Sequence, residues 1–307
     1  MFKLAGPLLV VTFWLAAAAP ASAQSAVQEY AVPAGSHPHD VAPDLPTQPD
    51  RRSTVPVDHP LPTVDAALAA ADEPGPLIAA GETADVFALD EQHVLRRYRS
   101  GRDASPEVEL LRHVVAHGFP APAVLQASGP DLVMERLHGP TLLQALAAGE
   151  VSIPDAAAIL TDLHARLHAI TPPHNWGPDE PDSWPLVSSG PAIMHLDLHP
   201  GNVILTESHG PALVDWANAR TGTAELDVSL TALIIAEVAV DAGGVYSQAA
   251  RALLAAFLQA TDVDPLAALD DAAALRAKDP SLVPGERELV PAAAVLIRDL
   301  VEVATHP

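Results

Sequence analysis

Along residues 77–98 short, largely apolar stretches are broken by polar, turn-forming ones, the pattern of successive strands. Leu77-Ile-Ala-Ala80, Asp85-Val-Phe-Ala-Leu89 and His93-Val-Leu-Arg-Arg-Tyr98 are separated by turn-forming stretches at Gly81-Glu-Thr-Ala84 and Asp90-Glu-Gln92, which predicts three antiparallel strands. The spacing then becomes helical. Ser105-Pro106-Glu107 has the form of an N-cap followed by a first-turn proline, and the helix should end near His117-Gly118 with Leu110, Leu111 and Val114 against the sheet. Farther along, Val203-Ile-Leu205 and Ala212-Leu-Val214 are short apolar strands joined by a turn containing His209-Gly-Pro211. The C-terminal third predicts helices over about 224–242, 245–261, 265–278 and 285–304. Strands first and helices after make an α+β chain.

Composition adds three constraints. With 307 residues the chain is long enough for a two-lobed domain plus a tail, and 49% hydrophobic against 4% aromatic content means that alanine supplies much of the apolar total, favouring helix. A formal net charge of −23 argues against nucleic acid as a partner, because phosphate backbones demand basic surface. It permits a cationic small molecule drawn to an acidic cleft, although excess carboxylate is also the ordinary make-up of a solubilising surface. The chain has no cysteine, so disulfides and thiolate metal sites are excluded.

The chemistry concentrates in His195-Leu-Asp-Leu-His-Pro-Gly-Asn202, an H-x-D-x-x-x-x-N arrangement, followed by Asp215-Trp216. An incoming hydroxyl needs a carboxylate to orient it and accept its proton, which suits Asp197. A magnesium ion prefers hard oxygen donors, which suits the amide of Asn202 and the carboxylate of Asp215. The predicted hairpin would return Asp215 to the side of Asn202. A metal-dependent hydrolase competes with this reading, since His195, Asp197 and His199 alternate and His164 and His168 stand one helical turn apart. Position 165 is alanine where H-E-x-x-H zinc proteases carry glutamate, so His164 and His168 are read as polar positions on an amphipathic helix beneath the loop.

Upstream, Thr83 and the backbone N–H groups of the first turn could cover phosphates, although with a single glycine an ordinary hairpin turn fits equally well. On the third strand Val94 and Arg96 share one face, and Leu95 and Arg97 share the other. Phosphoryl transfer calls for a cation on this strand paired with a helix glutamate, roles that Arg96 and Glu107 fit. The only lysines, Lys3 and Lys278, lie far from it. Arg97, Arg99 and Arg102 read as a solvated basic edge.

In order along the chain, Gly81-Glu-Thr-Ala-Asp-Val-Phe87, Val94-Leu-Arg-Arg-Tyr98, Gly118-Phe-Pro-Ala-Pro122, Leu132-Val-Met-Glu-Arg136, the catalytic loop, and Asp215-Trp-Ala-Asn-Ala219 running to Glu225-Leu-Asp-Val228 resemble the aminoglycoside phosphotransferase-like kinases over about residues 76–304. The resemblance implies a two-lobed protein-kinase-like fold, with a small N-terminal antiparallel β lobe and a larger helical C-terminal lobe. It makes Asp197 the catalytic base and Asn202 and Asp215 the Mg2+ ligands. It makes Met134 to Leu137, including Glu135, the hinge that receives adenine, with Val94 against the base. It gives His195 and Asp227 supporting roles, Asp227 bonding the catalytic loop from the start of the next helix. Arginine at position 96, where many kinases carry lysine, is the one departure.

The implied co-substrate is ATP or GTP, and the implied acceptor is a hydroxyl of a small molecule such as an aminoglycoside-like antibiotic or a metabolite. Too few residues separate Asp215 from the helix near Ala224 for the long activation segment and A-P-E motif on which protein kinases lay a peptide. A catalytically silent kinase-like protein that binds a ligand or partner is the alternative; the intact Asp197, Asn202 and Asp215 favour the enzyme.

The predicted organisation is a signal-peptide-like segment over 1–23 ending in Ala21-Ser-Ala23, a disordered proline-rich linker over 24–62, a nucleotide-binding lobe over 63–137 and a catalytic and substrate lobe over 138–307. A secretory leader conflicts with use of a nucleotide that is plentiful only inside cells. The chemistry is given the greater weight, so a cytoplasmic enzyme is expected, with membrane contact only if residues 1–23 remain as an uncleaved anchor.

Overall fold

The structure, a computed structural model, describes residues 74–81, 83–177, 184–241, 244–283 and 285–305. The leader-like segment 1–23, the linker 24–62 and the first residues of the N-terminal lobe, 63–73, lie outside the described residues.

The three strands expected are joined by two that were not, in a five-stranded antiparallel sheet of order β1-β2-β3-β5-β4, formed by β1 (Leu77–Ala80), β2 (Ala84–Ala88), β3 (His93–Tyr98), β4 (Val124–Ser128) and β5 (Asp131–Glu135). The register sets Arg96 between Val86 and Leu132, and Val94 between Ala88 and Met134. Asp90 makes the β2–β3 turn tight by accepting the Gln92 and His93 N–H groups at 2.7 and 2.8 Å.

Helix α1 (Ser105–Ala116) connects β3 to β4. Its cap differs from the expectation: Ser105 is the first helical residue, and Asp103 accepts both the Ser105 N–H (3.0 Å) and its hydroxyl (2.8 Å). A carboxylate two residues earlier offers a stronger acceptor than the serine hydroxyl. Leu110, Leu111 and Val114 are buried from it, as the helical spacing requires.

The C-terminal lobe begins with α2 (Leu142–Ala148), held by a reciprocal Thr141–Gln144 capping box, and α3 (Ile153–His168), capped by Ser152. Two small hairpin-like pairs follow: β6 (Ala192–Met194) with β9 (Arg220–Gly222), and β7 (Val203–Thr206) with β8 (Gly210–Leu213). The remaining helices are α4 (Ala224–Val240), α5 (Val245–Ala260), α6 (Leu269–Arg276) and α7 (Val290–Thr305).

The last two helices start later than their spacing predicts. Asp264 accepts the Leu266 N–H at 2.9 Å and its carbonyl takes Ala267 N–H, so a turn replaces the first turn of α6. Before α7, residues 286–289 close three-residue turns, and Pro291 lacks the N–H that an earlier helix start would use. Helix α4 is buried from Asp227 to Ala239 and therefore shows no amphipathic stripe; α5, α6 and α7 pack around it.

The two lobes are joined where Gly139 passes under β7. A β-carbon at position 139 would lie 1.9 Å from the Leu205 carbonyl oxygen, and the neighbouring Pro140 carbonyl accepts the Leu205 N–H at 2.9 Å. Gly139→Ala should therefore push the strand away and destabilise the fold by about 1–3 kcal/mol, measurable as a lowered denaturation midpoint.

Candidate active site

Strand β6 delivers the catalytic loop, and α4 holds it. Asp227, in the first turn of α4, is wholly buried and accepts the His195 N–H at 3.1 Å and the Leu196 N–H at 2.8 Å. A carboxylate in this place is also favoured by the helix N-terminus. Leu196 has φ +63°, a left-handed conformation that a leucine adopts only when its surroundings enforce it, and the Asp227 bond is part of that enforcement.

His195 is fully buried. It donates from Nε2 to the Val214 carbonyl at 3.1 Å and meets Trp216 edge-on, pinning the loop to the end of β8. Burial pushes its imidazole down to about 4, so it is neutral and acts as a peg.

Asp197 and Asn202 then face each other across the loop. Asn202 Nδ2 donates to the Asp197 carbonyl at 2.9 Å and to its carboxylate at 3.0 Å, which turns the Asn202 amide oxygen away from Asp197. The Val214 N–H bonds the Asn202 carbonyl at 2.9 Å, and the next residue is Asp215, at φ +64° and exposed. The hairpin thus brings Asp215 back to Asn202.

From the other lobe Arg96 reaches this point. Its Nη1 donates to both Glu107 carboxylate oxygens at 2.7 and 2.6 Å, and its Nη2 donates to Asp215 at 2.6 Å. Arg97 points to the opposite face, where it makes a two-bonded pair with Asp131 at 2.6 and 2.7 Å.

Two residues that the sequence did not flag complete the Arg96 cluster. Tyr98, two positions on and so on the same face, accepts from Arg96 at 3.0 Å and donates to Glu107. Arg102, expected as solvated edge, instead lies over the Tyr98 ring, 4.1 Å from its centroid, and donates to the Ala217 carbonyl at 3.1 Å. It therefore ties the small lobe to the segment after Asp215. The periodicity of β3 could have found Tyr98; no local signal marks Arg102.

Val94 is buried on the Arg96 face of β3. Thr83 is exposed at the β1–β2 turn, where its carbonyl accepts the Arg99 N–H at 3.0 Å. Glu135 directs its carboxylate to the Ala123 N–H (3.2 Å) and to His209 (2.8 Å), and half-buried Leu137 follows it. A cavity of about 900 Å³ opens beside Glu135, between His93, Leu125, His138 and Leu205. Asp197, Asn202, Asp215 and Arg96 do not line it, so the chemistry, and not the hollow, locates the site.

Electrostatically Asp197 is the distinctive group. Burial, helped by the nearby Asp215 charge and opposed by Arg276, pushes its carboxyl up to about 8. Arg276 is itself held by Glu237 (3.0 Å) and Asp279 (2.6 Å), both buried. His199 accepts the Gly201 N–H on Nδ1 at 3.0 Å, which leaves its proton on Nε2, 3.7 Å from Asp197. Burial and Arg276 hold this imidazole down at about 4. His164 and His168 do lie on the helix beneath the loop, but His164 is buried and His168 partly buried against Asp227 and Thr231, not on a polar face.

No curated protein matches the chain. Among solved structures it is similar to amicoumacin kinase hAmiN in complex with AMP-PNP, Ca2+ and Ami (13% identity, 76% of this chain and 93% of that one, TM-score 0.48). It is similar also to the streptomycin–ATP–APH(2'')-IIa ternary complex (14%, 80% and 97%, 0.46) and to a choline/ethanolamine kinase family protein from Mesorhizobium loti (14%, 74% and 88%, 0.46). The family model described as APH, Phosphotransferase enzyme family, matches residues 75–187 and 176–277, a span that contains Arg96, Glu107, Asp197, Asn202, Asp215 and Asp227. With two lobes meeting at those side chains and the larger part of its length matched, the chain belongs to the phosphotransferase enzyme family.

Proposed function

We propose that this small-molecule kinase transfers the γ-phosphoryl group of ATP or GTP to a hydroxyl of a small acceptor, with Asp197 as base. The observation that carries the reading is the convergence of Asp197, Asn202, Asp215 and Arg96 from two lobes, linked by contacts of 2.6–3.0 Å. Asp197 orients the acceptor hydroxyl and takes its proton as the oxygen attacks; the raised pKa gives it the basicity to do so near neutral pH. Arg96, fixed by Glu107 and Tyr98, presents positive charge to the phosphates, and Val94 on the same strand face supplies an apolar surface for the base.

The donor set fits a hard divalent cation, since the Asn202 amide oxygen is turned from Asp197 and the Asp215 carboxylate is exposed. Magnesium held there would neutralise charge on the transferred phosphoryl group. The formal net charge of −23 permits a cationic acceptor, such as an amino sugar, drawn to an acidic cleft. The route from Asp215 to α4 is taken up by β9, which supports a small acceptor and not a peptide.

Purified protein incubated with labelled ATP or GTP, Mg2+ and a library of hydroxylated acceptors tests this, read as a gain of one phosphoryl group in mass. Failure of every acceptor together with absence of nucleotide binding would overturn it.

Need for a triphosphate also places the working enzyme in the cytoplasm. Among the described residues no helix is long and apolar enough to cross a membrane. Mass spectrometry of the native protein is expected to find it in the cytoplasmic fraction; a chain starting at Gln24 outside the cytoplasm contradicts the placement.

A further inference from the structure

His164 and His168 stand one turn apart on α3, and both face Asp227 on α4. His168 Nε2 lies 2.9 Å and His164 Nδ1 lies 3.4 Å from the same carboxylate oxygen, Oδ2. The three side chains are 9%, 3% and 0% exposed, so water does not dilute what happens between them.

The surrounding hydrogen bonds fix the proton on His164. Thr231 donates its hydroxyl hydrogen to the Leu198 carbonyl at 2.8 Å, so toward His164 it can only accept. His164 Nε2, 3.0 Å from that hydroxyl, must therefore carry the ring proton. Nδ1 is then a bare lone pair, buried and without a hydrogen-bond partner, aimed at Asp227. Asp227 already accepts the His195 and Leu196 N–H groups and His168 Nε2–H, so the oxygen opposite Nδ1 is an acceptor too. Two acceptors facing each other in a dry site repel unless a cation joins them. A second proton on His164 would do so, and so would a metal ion held between the two.

We infer that His164 Nδ1, His168 Nε2 and Asp227 Oδ2 form a site for a divalent transition-metal ion of the zinc class, separate from the Asn202–Asp215 site. Two imidazole nitrogens and one carboxylate oxygen are a donor set that zinc takes, and the observed 2.9 and 3.4 Å separations bracket the roughly 3.3 Å expected between ligands on a tetrahedral ion with bonds of about 2.0 Å. Thr231 fills the place of the outer partner that accepts the second N–H of a metal-bound histidine and fixes its tautomer. When the ion binds, the His168 proton moves from Nε2 to Nδ1 and none need be released. Because Asp227 also carries the His195 and Leu196 N–H groups, the ion would fasten α3 and α4 to the strained turn of the catalytic loop. The inference does not depend on the acceptor or on transfer activity.

The test uses the untagged full chain, dialysed against a chelator, loaded with Zn2+, washed and assayed for metal by mass spectrometry, then titrated separately with Co2+. A single retained zinc ion per chain is expected, together with a visible Co2+ absorption band of a low-coordinate nitrogen–oxygen site. Asp215→Asn should keep that band, and His164→Gln and His168→Gln should lose it. Thr231→Val should weaken Co2+ binding about 10- to 100-fold. Retention of no zinc overturns the site, as does a band unaffected by His164→Gln. Nitrogen NMR of the native zinc-treated protein decides even if the histidine variants fail to fold: both His164 nitrogens protonated would make the cation a proton and sink the proposal, and an unprotonated, shifted Nδ1 supports it.

Discussion

Asp197→Asn should lower turnover by roughly 100- to 10,000-fold, the usual contribution of a positioned base, and at the same time raise thermal stability at alkaline pH. The two effects have one origin. Asparagine keeps the size of the side chain and leaves untouched the bond from Asn202 Nδ2 to the residue 197 carbonyl, so the loop should hold its shape. It removes a carboxyl whose pKa burial and Asp215 have raised from 3.8 to about 8.

For a group shifted upward, the folded chain keeps a proton that the unfolded chain has lost. Its contribution to stability is full below about pH 4 and disappears as pH rises through about 8. The asparagine variant has no charge to desolvate, so its melting temperature should exceed that of the native protein increasingly above pH 8. Turnover of the native enzyme should rise with pH as Asp197 ionises. Asp215→Asn, which removes the second cause of the shift, should move the Asp197 titration to lower pH. A variant that lost turnover and melting temperature together would make Asp197 a structural residue.

Arg96→Ala should destabilise the fold by about 3–5 kcal/mol and abolish strong nucleotide binding, whereas Arg97→Ala should cost only about 0–1 kcal/mol and leave binding intact. The residues are neighbours, and each pairs with an aspartate or glutamate through short bonds. Burial separates them. The Arg96 and Glu107 side chains are each 6% exposed, so removal of the guanidinium strands a carboxylate in a dry site and releases Asp215. The Arg97 side chain is 37% exposed, and solvent already screens its pair with Asp131.

Arg96→Lys keeps the charge but not the fork that spans Glu107 and Asp215 together, so partial activity is expected. Glu107→Ala should have a related, milder effect on turnover. Chemical denaturation and calorimetric titration with nucleotide check each variant. A damaging Arg97→Ala beside a harmless Arg96→Ala would place the phosphates on the other face of β3.

The shared face of Val94 and Arg96 was legible because successive side chains on any strand point to opposite sides, even though β3 is buried on both. Asp197, Asn202 and Asp215 were legible because a hairpin of predictable length carries one to the other. What remained hidden depends on distant pairing. Arg97 meets Asp131, Arg102 meets Ala217, and His164 meets Thr231 across stretches that no local period spans. Helix α4 lacks a polar face, so its role as the axis of the large lobe could not be read from a stripe. The starts of α6 and α7 were set by side-chain turns and a proline that override the helical spacing of the residues before them.

The stretch from Asp215 to α4 has a consequence for control. Its Thr221 lies in β9 against Ile193, and the Thr223 hydroxyl caps α4. A segment tied at both ends in this way has little freedom to change arrangement, so the amounts of the enzyme and of its substrates are expected to meter its flux.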